Sequence, residues 1–124
     1  MAAPEVEVAV AARYAPQHSQ PAERRYVFIY QVTIRNHGTL AAQLLRRHWL
    51  IWDSDGSVRE VRGEGVVGEQ PRLEPGSAFR YASSAVLATP VGAMQGSYAM
   101  QASDGTDFTA PIPPFTLAMP GILN

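Results

Sequence analysis

The residues from Tyr26 to Arg35 alternate with a period of two and are apolar or β-branched on both sides of that alternation. Tyr26, Phe28, Tyr30, Val32 and Ile34 share one face, and Val27, Ile29, Gln31 and Thr33 share the other. Such a run belongs to a strand covered on both faces, hence near the middle of a sheet. Val6, Val8 and Val10 alternate with Glu5, Glu7 and Ala9, the pattern of a half-buried strand. Ten Gly and ten Pro are spread through the chain, so few windows long enough for a helix lack a breaker. Further short strands are predicted at Val58–Arg62, Ala78–Ser83, Tyr98–Ala102, Phe108–Ile112 and Phe115–Met119. Turn chemistry at Asp55-Gly56, Pro75-Gly76, Pro90, Gly96, Asp104-Gly105 and Pro120-Gly121 separates them. Pro111, Pro113 and Pro114 mark an edge strand or a kink, because proline cannot donate to a ladder. The expectation is an all-β chain, one domain over residues 1–124, folded as an antiparallel sandwich of seven or more strands.

Leu40 to Trp52 is the one stretch where a helix competes, since Ala41 to Arg47 are good helix formers. Gly38 before it, Ile51 and two Trp within it, and the turn Asp53-Ser54-Asp55-Gly56 after it favour a strand. As a strand it puts Trp49 and Trp52 on opposite faces. Leu45, Arg47, Trp49 and Ile51 then line one face, and Leu44, Arg46, His48, Leu50 and Trp52 line the other. Both faces are too apolar for plain solvent. Either both are covered, or Arg46, His48 and Trp52 form a half-exposed patch with the composition of a protein-interaction hot spot.

Charge and composition exclude several activities. Ten Arg against eleven acidic residues leave a net charge of −1, which argues against a general nucleic-acid or membrane-surface binder. There is no Lys, hence no Schiff base or phosphate-loop lysine, and no Cys for a thiolate nucleophile, disulfide or thiolate metal site. The start Met1-Ala2-Ala3-Pro4-Glu5 has neither a basic nor an apolar leader segment, and no apolar run approaches bilayer-spanning length. A cytoplasmic protein, monomeric or weakly associating, is expected.

Gly63-Glu64-Gly65-Val66-Val67-Gly68 matches G-x-G-x-x-G. A dinucleotide site needs the last glycine to open a helix, and Pro71 and Pro75-Gly76 leave no room for one. A kinase-type glycine loop would suit the strand context, but its companion lysine and aspartate motifs are missing. The glycines therefore read as a tight strand-connecting loop needing positive φ. The alternative is an anion nest of backbone amides at Gly63, Gly65 and Gly68, assisted by Arg59, Arg62 and Arg72 and binding a nucleotide or pyrophosphate. Asp53-Ser54-Asp55-Gly56 fails as a calcium loop, because Ile51 and Arg62 would fall on ligand positions; it reads as a hairpin turn. His18, His37 and His48 have no ligand spacing, so no metal site is expected, and no serine lies in a nucleophile motif. No catalytic residue and no cofactor is assigned.

Several blocks together resemble the bacterial ApaG family from end to end: Arg25-Tyr26-Val27-Phe28, Val32-Thr33-Ile34-Arg35-Asn36, Gln43 to Trp49, Gly63 to Pro71, Thr89-Pro90, Met94-Gln95-Gly96, and Ile112-Pro113 with Phe115. The resemblance implies a fibronectin type III or immunoglobulin-like sandwich. It also implies a link to cobalt tolerance and magnesium efflux, and gene neighbours that include an rRNA methyltransferase and a dinucleoside-tetraphosphate hydrolase. Related domains are appended to F-box proteins and to a polymerase-interacting protein, which points to a non-enzymatic, protein-binding module. The family carries the glycine motif at Gly63, Gly65 and Gly68 but no established catalytic residues, and Trp52 is not part of its pattern.

Overall fold

The computed structural model describes residues 5–122; residues 1–4, on which the expectation about a leader segment rests, lie outside them. Eight strands follow one another: β1 (Val6–Tyr14), β2 (Tyr26–Asn36), β3 (Ala42–Asp53), β4 (Val58–Glu64), β5 (Arg72–Leu73), β6 (Ala78–Leu87), β7 (Val91–Ala102) and β8 (Asp107–Ala118). All pairings are antiparallel. One sheet runs β1-β2-β6 and the other β4-β3-β7-β8, with the short β5 also on β3. This is the strand arrangement of a fibronectin type III-like sandwich. The doubly apolar β2 is the central strand of its sheet, as its alternation requires. No α-helix occurs among the described residues, only short 3-10 turns at Pro16–His18 and Pro21–Glu23, each opened by a proline.

The stretch Leu40–Trp52 is strand β3, but it does not keep one parity. Leu44 pairs with Met100 and Arg46 with Ala99, so Leu45 is an extra residue in a β-bulge. The bulge moves Leu44 to the inner face, where it is fully buried beside the line of Trp49 and Ile51. The sequence reading that grouped Leu44 with Arg46 and left Leu45 inward is corrected by this one inserted residue.

Gly96, read as a turn, lies within β7 opposite Trp49, and a Cβ there would sit 2.1 Å from the His48 carbonyl oxygen. It is a close-approach glycine in a continuous strand that starts at Val91 rather than Tyr98. The two strands expected at Phe108–Ile112 and Phe115–Met119 are likewise one, β8. Register shifts between Met94 and Gly96, where Pro113 and Pro114 pass opposite β7. An edge position and a bulge are the two settings in which a strand tolerates proline, and β8 supplies both here.

The core lies between the sheets. Phe28, Val32 and Ile34 from β2 face Leu44 and Trp49 from β3 and Met94, Tyr98 and Met100 from β7. Trp49 is its hub, edge-on to Tyr30 at 5.5 Å, to Phe115 at 6.1 Å and to Tyr98 at 6.5 Å between ring centroids. On one side β1 packs over β8; on the other, the edges of β4 and β6 leave a cleft between the sheets.

Candidate functional site

The outer face of the five-stranded sheet gathers residues that the sequence leaves far apart. After the bulge, Arg46, His48, Leu50 and Trp52 point away from the core. Register sets Glu64, Arg62, Glu60 and Val58 of β4 on one side of them, and Ala99, Ser97, Gln95 and Ala93 of β7 on the other. Thr109 of β8 lies beyond Ala99. Long side chains on β3 and β4 beside small residues on β7 and β8 leave a depression of about 430 Å³, lined by Arg46, Arg47, His48, Arg62 and the carboxylate Glu64 over Ser97, Ala99 and Thr109.

Inside this patch the charges are unevenly engaged. His48 Nε2 lies 2.8 Å from Glu60 Oε2, and Arg62 donates to the same oxygen at 3.2 Å. The His48 contact, then the Arg62 guanidinium, lowers the Glu60 carboxyl below its ordinary range. Arg46 makes no ion pair among the described residues. Trp52 is half-buried on the same face, four residues and so about 13 Å along β3 from His48, outside the lining of the depression. Arg46 and His48 are thus brought together, Arg62 joins them from a different sequence motif, and Trp52 extends the patch without lining it.

The glycine segment is built for backbone geometry. Gly63 and Glu64 end β4, and Gly65 has φ +62°. The Val66–Glu69 turn closes through two mutual backbone bonds of 2.8 and 2.9 Å, with Val67 and Gly68 at φ +44° and +81°. A Cβ on Gly65 would lie 2.2 Å from the Glu69 carbonyl oxygen. The Gly65 amide donates to Leu45 at 2.8 Å, the carbonyl that also accepts Gln70 Nε2 at 3.0 Å, so the β3 bulge anchors the loop. At Gly63 the missing side chain makes room for the Arg47 guanidinium; a Cβ there would be 2.6 Å from Arg47 Cζ.

The arginines of the nest reading are scattered, because residues 59 and 62 point to opposite faces of β4. Arg59 donates to the Val86 carbonyl of β6, Arg62 sits on the outer face with Glu60, and Arg72 pairs with Glu74 at 3.2 Å. Of the histidines, His37 contacts Glu7 at 3.0 Å and His18 is exposed. Among the described residues no three His, Cys, Asp or Glu side chains gather as a metal would need.

Sequence reasoning missed the polar groups inside the sandwich. The Tyr81 and Tyr98 hydroxyls hydrogen-bond each other in the core, and Tyr30 is buried close by. Burial pushes the Tyr81 phenol up to about 12 and raises Tyr98 and Tyr30 as well. Buried Asp53 accepts the Ala88 amide at 2.9 Å and the Thr89 hydroxyl at 3.1 Å, tying the β3–β4 hairpin to the β6–β7 corner. Only the Thr89-Pro90 block hinted at this corner; tyrosines in three strands carry no local signal that they meet.

These features define a fibronectin type III-like β-sandwich with an open face of mixed charge and a glycine loop pinned by a strand bulge. Residues 16–102 match the ApaG domain family model. The chain is 61% identical over 120 residues to Protein ApaG of Azotobacter vinelandii, covering 97% of this chain and 95% of that protein. It is 57% identical over 119 residues to Protein ApaG of Azoarcus sp. strain BH72, covering 96% and 94%. The crystal structure of an ApaA protein from Bordetella pertussis superposes with a TM-score of 0.93 at 47% identity, covering 95% of this chain and 96% of that one. The chain belongs to the ApaG family. Among its described residues, no helix is long and apolar enough to cross a membrane.

Proposed function

We propose that this chain is a non-enzymatic cytoplasmic module, monomeric or weakly associating, that binds a protein partner on the outer face of its five-stranded sheet. The partner presents an acidic segment with an apolar side chain. The observation that carries this reading is Arg46, a cation without an ion pair at a depression of about 430 Å³ floored by Ser97, Ala99 and Thr109. Arginine matches carboxylates through its planar fork, and small neighbours leave that fork accessible. Trp52 adds an aromatic contact further along the same strand, the residue pairing that most often carries interface energy. The family resemblance connects such a partner to magnesium and cobalt efflux, with the chain acting through a protein rather than as the cation's own ligand.

Nucleotide or pyrophosphate binding at residues 63–68 has less geometric support. The Gly65, Val66 and Glu69 amides already donate to Leu45, Glu69 and Val66 carbonyls, and Arg59 and Arg72 are engaged elsewhere. The test is a comparative pull-down from native lysate with wild type, Arg46→Glu and Trp52→Ala. A partner captured by wild type and lost with Arg46→Glu supports the reading; equal capture by all three forms overturns it. In parallel, ATP is expected to leave the amide resonances of residues 63–68 in place, and a selective saturable shift there would replace this reading with the nucleotide one.

A further inference from the structure

The cleft between the edges of β4 and β6 is a second concave site, on the other side of the sheet from the patch described above. It encloses about 350 Å³, with Tyr30, Trp49 and Tyr81 in its depth, Ser83 of β6 on one wall, and Arg47 and the Val66–Gly68 turn on the other. No Asp or Glu lines it. Its volume falls at the small end of ligand pockets, which suits a one-ring or two-ring molecule and not a nucleotide.

Every polar side chain lining the cleft can donate a hydrogen bond, and Arg47 is the one charged group among them. Arg47 Nη1 donates to the Glu64 and Gly65 carbonyls, both at 3.0 Å, and this uses both of its hydrogens. The Nε and Nη2 edge, which forms the carboxylate-matching fork, has no protein acceptor among the described residues. Two carbonyl anchors and the space over Gly63 hold the guanidinium in place before any ligand arrives. The Tyr81–Tyr98 pair shares one hydroxyl hydrogen internally and retains the other. At the mouth, Val61 and Val67 are exposed large apolar side chains, and Val67 is a β-branched residue held at φ +44°, a costly conformation of the kind that clusters at binding sites.

We propose that this cleft binds a small carboxylate with a flat apolar body, of the arylacetate class, through the Arg47 fork and the Tyr30, Trp49 and Tyr81 rings. A fixed cation with a free fork selects the carboxylate, and aromatic walls select the ring. Arg47 also borders the outer-face depression, but Tyr30, Trp49, Tyr81 and Ser83 line only this cleft, so Ser83→Phe tests it apart from the outer-face reading.

The test is a nitrogen–proton correlation titration of the full chain with phenylacetate, its neutral isostere phenylacetamide, and inorganic phosphate. Phenylacetate at millimolar concentrations is expected to shift the Trp49 indole and the Val66 and Ser83 amides saturably. Phenylacetamide should bind at least about tenfold more weakly, as should phenylacetate to Arg47→Met. Ser83→Phe, which fills the cleft wall, should abolish the shifts. No saturable shift, equal binding of acid and amide, or phosphate binding as tightly as phenylacetate would each overturn the proposal. Should Arg47→Met fail to fold, the acid–amide comparison on wild type and the Ser83→Phe variant still decide.

Discussion

Removing both hydroxyls of the Tyr81–Tyr98 pair should cost less than the sum of removing each alone. The two hydroxyls differ in access to water: Tyr98 has no solvent exposure, whereas Tyr81, 8% exposed, lines the floor of the cleft. Tyr81→Phe leaves the Tyr98 hydroxyl orphaned without access to water, at a cost of about 2 kcal/mol. Tyr98→Phe leaves the Tyr81 hydroxyl on the cleft, where water can reach it, for about 1 kcal/mol. The double variant loses the bond but strands no polar atom, so about 1 kcal/mol is lost against a sum near 3, a coupling of about 2 kcal/mol. For 124 residues, 1 kcal/mol corresponds to about 4 °C in Tm. Urea unfolding followed by fluorescence reads this directly, because Trp49 stands edge-on to Tyr98. Additive single variants, or Tyr98→Phe costing more than Tyr81→Phe, would refute the reasoning.

Three other outcomes are expected. Because burial raises the Tyr81, Tyr98 and Tyr30 phenols, their protonated forms stabilise the fold fully below pH 10, and that stability is lost as pH climbs through the folded value, about 12 for Tyr81. Stability should therefore fall by about 1.4 kcal/mol per pH unit between pH 10 and about 12 for Tyr81, with Tyr98 and Tyr30 adding losses of the same sign, tracked by denaturant midpoint against tyrosinate absorbance. Gly65→Ala should destabilise by about 2–3 kcal/mol, since positive φ is joined by a collision with the Glu69 carbonyl, whereas Gly68→Ala meets nothing within 4 Å and should cost about 1 kcal/mol; thermal unfolding orders the two. Asp53→Ala strips the acceptor from the Ala88 amide and the Thr89 hydroxyl and should cost about 2–3 kcal/mol in chemical denaturation, with Asp53→Asn closer to wild type.

What could be read from the sequence alone is what neighbouring residues decide among themselves. Alternation over Tyr26–Arg35 marked a central strand, the prolines of residues 111–114 marked an edge, and opposite parity separated buried Trp49 from half-buried Trp52. Asp53 to Gly56 could be recognised as a hairpin turn, and Gly65 and Gly68 as positive-φ positions, because steric limits on the backbone act locally. The tertiary structure decided everything that depends on which strand lies alongside which. One bulged residue at Leu45 reversed the parity of β3, sent Leu44 inward and turned a carbonyl toward the glycine loop. Gly96 looked like a turn until the His48 carbonyl occupied the space its side chain would need. Arg62 joined His48 around Glu60, and not Arg59 at the loop, because pairing register and the two faces of β4 outweigh nearness in sequence. Arg47 over Gly63 and the tyrosines of β2, β6 and β7 meet only when the two sheets stack. A period of two says which side chains share a face, but not what that face is packed against.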